Sequence, residues 1–274
     1  MKVIKNKILT HIPPLKQTVD DVSDLPYIPS KPLTAKSPAI YICGFSSSGK
    51  TTLWNQLLLA HPTKKKPHIP RFYWRFFDKI WLISPSKDTL PLNKLKLSEE
   101  RIFDKFTPDL IDSIIETEKE GENLNNIFII DDSIKQIKNN PKMHSLLLNR
   151  RHLTQNPSKS GHAGLGIIVS SQKFNACDLI LRTNFSDIFL FKTENSKELR
   201  AIREELMEDL TKEQQNELFK KGWSKKYNFI LVKAYENTPD RYYINFDKVV
   251  FDEPQKDNKD ENDENDEDNK DKEN

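Results

Sequence analysis

The chain has 274 residues, 43 Lys and Arg against 41 Asp and Glu for a formal net charge of +2, two cysteines and 36% hydrophobic residues. Two distant cysteines without C-x-x-C spacing exclude a disulfide framework and a zinc site built on cysteine pairs. No stretch approaches the ~18 apolar residues of a membrane span, so the expectation is a soluble, intracellular protein with no membrane partner.

The charge is unevenly spread. Residues 252–274 carry twelve acids against four lysines, a net of −8, which leaves +10 on residues 1–251. Residues 252–274 are of low complexity and read as a disordered acidic tail. Residues 1–37 hold Pro13, Pro14, Pro26, Pro29 and Pro32 and read as an extended N-terminal arm. The folded domain is expected over 38–251.

Within that domain, short apolar runs alternate with helical patterns. "AIYIC" (39–43) reads as a buried strand and "KTTLWNQLLLAH" (50–61) as a helix stopped by Pro62. "KIWLIS" (79–84) is strand-like, "DLIDSIIETEKE" (109–120) helical, "NIFIID" (126–131) a strand and "PKMHSLLLNRRH" (141–152) a helix opened by proline. "GIIVSS" (166–171) and "DIFLFK" (187–192) are strands. Residues 197–222 read as two charged helices broken near Thr211, and "YNFILVKAY" (227–235) with "RYYINFD" (241–247) as a closing hairpin. Continuous apolar strands between helices indicate an α/β fold with a mainly parallel sheet buried on both faces.

Gly44-Phe45-Ser46-Ser47-Ser48-Gly49-Lys50-Thr51 satisfies G-x-x-x-x-G-K-[ST] and sits between a predicted strand and a predicted helix, where a P-loop must lie. Glycines let the backbone approach phosphate oxygens, and successive N–H groups at a helix N-terminus then face the anion. Residues Gly44 to Thr52 are the expected nucleotide-binding set. Lys50 supplies a point charge to the β- and γ-phosphates, and the Thr51 hydroxyl is a ligand for Mg²⁺.

Three features separate the P-loop classes. "IFIIDDS" (127–133) is a strand ending in two carboxylates: Asp131 is placed to hold Mg²⁺ with Thr51, and Asp132 to polarise an attacking water. The strand "GLGIIVSSQ" (164–172) ends in Gln172, whose amide points to the crevice at the strand ends and suits γ-phosphate sensing or water orientation. No N-K-x-D guanine-reading motif occurs, which disfavours a GTPase, and the paired acids disfavour a small-molecule kinase. Arg150 and Arg151 fall near the end of a predicted helix. An arginine finger for a neighbouring ATP and a basic helix terminus favouring the dipole are both open readings for them.

The ordered set "GFSSSGKT", "IFIIDDS", "NRRHL", "GIIVSSQ" and "LILRTNFSDIFLFK" (179–192) resembles the DNA-packaging ATPases of poxviruses and other large nucleocytoplasmic DNA viruses, virophages and Polinton-type elements. These form a branch of the FtsK–HerA superfamily, and the likeness spans roughly residues 38–195. The telling parts are Arg151-His152, Ser171-Gln172 and Arg182-x-Asn184. The resemblance implies a RecA-like core, a homo-oligomeric ring, and hydrolysis of ATP with Mg²⁺ coupled to moving double-stranded DNA into a capsid. A capsid or portal-vertex protein is then a partner, and the virus-assembly site the location. It makes Asp132 the catalytic carboxylate and sets Arg151 ahead of Arg150 as the finger. A nucleotide-gated DNA- or capsid-binding module without sustained turnover is the alternative.

"HPTKKKPHIPRFYWRFFDK" (61–79) interleaves basic and aromatic residues. Phe76 and Phe77 read as core aromatics entering the next strand. Lys64, Lys65 and Lys66 read equally as DNA contacts or as an exposed basic loop. The acidic tail has two readings as well, competition with DNA for the basic surface and solubilisation.

Overall fold

The structure, a computed structural model, describes residues 27–90, 92–95, 97–120, 125–153 and 164–251. Residues 1–26 of the expected arm and the whole acidic tail lie outside them. The elements in chain order are β1 (Ala39–Cys43), α1 (Lys50–Leu59), β2 (Ile80–Ile83), α2 (Leu92–Leu95), β3 (Ile102–Phe103), α3 (Pro108–Glu120), β4 (Asn126–Ile130), α4 (Ile134–Ile137) and α5 (Pro141–Asn149). There follow β5 (Leu165–Ser171), α6 (Leu179–Arg182), β6 (Asp187–Phe191), α7 (Ser196–Leu206), α8 (Lys212–Gly222), β7 (Phe229–Lys233), β8 (Tyr242–Ile244) and β9 (Asp247–Lys248).

The strands form one sheet in the order β3-β2-β4-β5-β1-β6-β7-β8-β9. The first six are parallel and the last three antiparallel. Every residue of β1, β4, β5 and β6 is buried, which is why these segments read as continuous apolar runs. Ile40, Ile42 and Phe189 face α1 through Leu53, Trp54 and Leu57. Tyr41, Cys43 and Ile188 face the other way, toward Met143, Leu181, Ile202 and Leu218 of the later helices. The α/β class with its mainly parallel sheet is therefore the fold observed. No helix among the described residues is long and apolar enough to cross a membrane.

The two charged helices separate at Thr211 because it opens α8 with a capping box. Its hydroxyl accepts from the Gln214 amide, and the Gln214 side chain accepts from the Thr211 N–H, worth about 1 kcal/mol. Helix α5 stops at Asn149, three residues short of the expected end at His152. Arg150 folds inward there, donating to the Leu147 carbonyl at 2.8 Å and the Ser37 carbonyl at 3.0 Å, which satisfies groups the helix terminus leaves open. The run 241–247 is two strands rather than one. Asn245, at φ 57°, turns the chain between Ile244 and Asp247, a left-handed position that asparagine tolerates.

The segment 27–37 has no regular structure but is fastened to the domain. The Tyr27 hydroxyl donates to the Phe72 and Trp74 carbonyls at 2.9 Å each, and Leu33 joins the α1-side core. Tyr73 donates to the Thr34 carbonyl at 2.7 Å, and Lys233 Nζ to the Thr34 hydroxyl at 2.8 Å.

Candidate nucleotide site

The loop 44–49 leaves the C-terminal end of β1 and enters α1 at the point where β5 and β6 flank it on opposite sides, the switch point at which open α/β sheets take ligands. Gly44 N–H donates to the Ser171 carbonyl at 3.1 Å. A Cβ on Gly44 would lie 2.6 Å from both Phe191 Cβ and Ser48 Oγ, so no side chain fits. Ser47 at φ 63° and Gly49 at φ 106° make the left-handed turn that curls the loop. Phe45, Ser46, Ser47 and Thr52 are exposed, and Ser48 is buried.

Lys50 is buried, and its Nζ crosses the loop to donate to the Phe45 carbonyl at 3.1 Å. Burial holds its ammonium pKa below the usual lysine range, and the charges of Asp132 and Asp131 oppose that shift. A cation held over the loop by the Phe45 carbonyl is poised for an anion.

The acids complete the arrangement. The β4–β5 register that pairs Ile130 with Val169 sets Asp131 beside Ser170. Asp131 is 3% exposed, and its N–H is fixed to the Ile83 carbonyl at 2.8 Å. Its Oδ2 accepts from Thr51 Oγ1 at 3.2 Å and its Oδ1 from Ser170 Oγ at 2.5 Å. The same Ser170 oxygen accepts from the Asp132 N–H at 3.1 Å. Asp132 is exposed, at φ 53°, and its Oδ2 accepts from Gln172 Nε2 at 2.8 Å. Lys50, Thr51, Asp131, Asp132 and Gln172 are thus brought together at one edge of the sheet.

Arg151 is not among them. The Arg150 carbonyl accepts from Leu165 N–H at the opposite end of β5, six residues from Ser171, or about 20 Å at ~3.3 Å per residue. Arg150 is 4% exposed, and burial, helped by the charge of Arg151, lowers its pKa to about 10. Arg151 is half-buried, and its Nε has no hydrogen-bond partner. Arg182 is occupied elsewhere, paired with Glu205 at 2.6 Å and set 4.9 Å from the Phe174 ring. In the 61–79 stretch, Lys64, Lys65 and Lys66 lie exposed around a turn that bridges Thr63 and Lys66. Phe76 is buried in the α1-side core and Phe77 packs against it.

Two contributors went unread in the sequence. Ser170 holds both acids, yet a serine inside an apolar run shows nothing of its neighbour strand. Tyr227, expected as the first residue of a strand, stands before β7 at φ 70° and 57% exposed. With Phe191, Phe229, Gln56 and the cradle residues it lines an open cavity of about 570 Å³. A second cavity of about 520 Å³ between β3 and α3, lined by Lys79, Trp81, Arg101 and Phe103, borders none of the cradle residues and neither Asp131 nor Asp132.

No protein-family model matches the chain, and no curated protein matches it. Among solved structures, the genome-packaging NTPase B204 of Sulfolobus turreted icosahedral virus 2, in complex with AMPPCP, aligns at 17% identity and a TM-score of 0.51, over 77% of this chain and 98% of that one. B204, the DNA-packaging ATPase of Sulfolobus turreted icosahedral virus, aligns at 16% identity and a TM-score of 0.50, over 79% of this chain and 100% of that one. At these identities the likeness establishes the fold: this chain has the RecA-like P-loop NTPase architecture, with antiparallel strands added at its C-terminal side.

Proposed function

We propose that this RecA-like chain is an Mg²⁺-dependent ATPase that moves double-stranded DNA as a homo-oligomeric ring, packaging a viral genome into a capsid through a capsid or portal-vertex partner. One observation carries the hydrolytic part: Thr51, Asp131, Ser170, Asp132 and Gln172 form an unbroken hydrogen-bonded chain beside Lys50. The load is supported by the packaging ATPases that share the fold and by the ordered motifs from Gly44 to Asn184.

The donor set suits Mg²⁺. A hydroxyl and a carboxylate 3.2 Å apart are hard oxygen ligands, and Mg²⁺ typically takes one or two such groups, the remainder coming from phosphates and water. Bound there, the ion would neutralise charge on the β- and γ-phosphates. Lys50 carries a second positive charge to the same oxygens, and the loop N–H groups orient the triphosphate. Asp132, one residue past the metal acid and facing solvent, takes the proton of the attacking water, and Gln172 positions that water through the carboxylate it already holds. Arg151, whose backbone lies by the opposite end of β5 in its own chain, acts on the nucleotide of an adjacent subunit.

The test is phosphate release by the full chain with ATP, Mg²⁺ and duplex DNA of increasing length. A translocating motor shows turnover that depends on track length, and Lys50→Ala abolishes it. ATP binding with at most one slow turnover would replace the motor with a nucleotide-gated module.

A further inference from the structure

The cavity beside the cradle is lined by aromatic side chains as well as by the cradle residues. Phe191 and Phe229, 4% and 7% exposed, form an edge-to-face pair 5.7 Å apart that floors it. Tyr227 lines the same cavity. A Cβ built on Gly49 would lie 3.4 Å from Tyr227 Cδ1, so the ring is in van der Waals reach of the glycine that precedes Lys50. Lys226 Nζ lies over the Tyr227 ring, 4.8 Å from its centroid.

Tyr227 combines a positive φ with an exposed ring, as the third residue of a turn in which the Asn228 N–H donates to the Lys225 carbonyl at 3.2 Å. A tyrosine at φ 70° occupies the left-handed region disfavoured for side chains with a Cβ, and its ring is 57% exposed. A strained backbone that presents an exposed aromatic to a cavity is the kind of outlier that accompanies ligand sites. Thr52 and Gln56, one turn apart on α1, line the same cavity. The cavity therefore runs from the phosphate end of the loop along α1, with Tyr227 on its wall.

We propose, resting on the triphosphate reading of the cradle, that Tyr227 is the platform on which the nucleobase stacks. The ring meets the flat face of the base, Phe191 and Phe229 exclude water beneath it, and the cradle holds the phosphates. Stacking on a π-face tolerates any base, so Tyr227 supplies affinity, and discrimination falls to polar groups along the wall such as the Gln56 amide.

The experiment measures binding of ATP and of inorganic tripolyphosphate to the full chain as wild type, Tyr227→Ala, Tyr227→Phe and Tyr227→Trp, with melting curves to confirm folding. Tyr227→Ala is expected to weaken ATP about 5- to 150-fold, the range of base–aromatic stacking, and to leave tripolyphosphate binding unchanged. Tyr227→Phe keeps ATP affinity, and Tyr227→Trp shows an emission change with ATP that tripolyphosphate does not produce. Wild-type ATP affinity in Tyr227→Ala, with tripolyphosphate still bound, overturns the platform and leaves the cradle standing. Equal loss of both ligands in Tyr227→Ala also overturns it, since the ring would then support the loop and not the base. Failure of the wild type to bind either ligand removes the cradle reading, and the platform with it.

Discussion

Gln172 donates its amide to Asp132 at 2.8 Å, joining the loops that follow two adjacent parallel strands. Asp132→Asn is expected to keep ATP binding and lose turnover by several orders of magnitude, since the general base is gone. Gln172→Ala, which leaves the base in place but unpositioned, should lower kcat about 10- to 100-fold with little change in ATP affinity. Phosphate release and equilibrium ATP binding on each variant check this. Full activity in Asp132→Asn would move the base elsewhere.

Ser170 is the hinge between the two acids, donating to one and accepting from the backbone of the other. A hydrogen bond to a charged group is worth about 1.5–3 kcal/mol, so Ser170→Ala should lower the melting temperature and reduce kcat together. Ser170→Thr keeps the hydroxyl in a strand that accepts β-branched residues, and should retain both. Equal behaviour of the two variants would show that the hydroxyl is idle.

Arg151 offers a test across subunits. Arg151→Ala should bind ATP normally and lose DNA-stimulated turnover by about 10³-fold, the scale of an arginine finger. Mixed with Lys50→Ala chains, which keep Arg151 but cannot hold nucleotide, it should regain part of that turnover. Mixed rings that stay inactive would argue against action between neighbours.

Glu118 predicts a pH dependence of stability. It is fully buried: Oε1 accepts from Asn126 Nδ2 at 2.6 Å, while Oε2 has no partner. Burial, with a smaller contribution from Asp78, raises its pKa to about 7, against the Asn126 hydrogen bond and Lys79, which lower it. The folded pKa exceeds the unfolded one. The stabilisation is therefore complete below about pH 4.5 and is lost as pH rises through 7, a change on the order of 3 kcal/mol. Wild-type melting temperature should fall across that window relative to Glu118→Gln. Parallel curves for the two proteins would refute the assignment.

How much was legible in advance follows from burial. Strands β1, β4, β5 and β6 are apolar along their whole length because both faces are covered, and the cradle announces itself through Gly44, Gly49 and Lys50. The edge strand β3 has two half-buried residues, too few to show a period. Ser170 depends on register with β4, a long-range fact. Arg150 and Arg151 are adjacent and chemically identical, so only the packing of α5 against Ser37 separates a locked residue from an available one. Tyr227 sat inside a run that reads as strand, and its positive φ is invisible in the residue type.

The fastening of residues 27–37 also constrains the order in which the domain is made. Ser37 waits for Arg150, 113 residues on, and Thr34 for Lys233, 199 residues on. During synthesis from the N-terminus, Lys233 emerges after nearly all of the sheet, and contacts of such separation form slowly. The segment is thus secured in two stages: Tyr27 and the Thr34 carbonyl find Phe72, Trp74 and Tyr73 within 47 residues, and the Ser37 carbonyl and Thr34 hydroxyl are fastened only later.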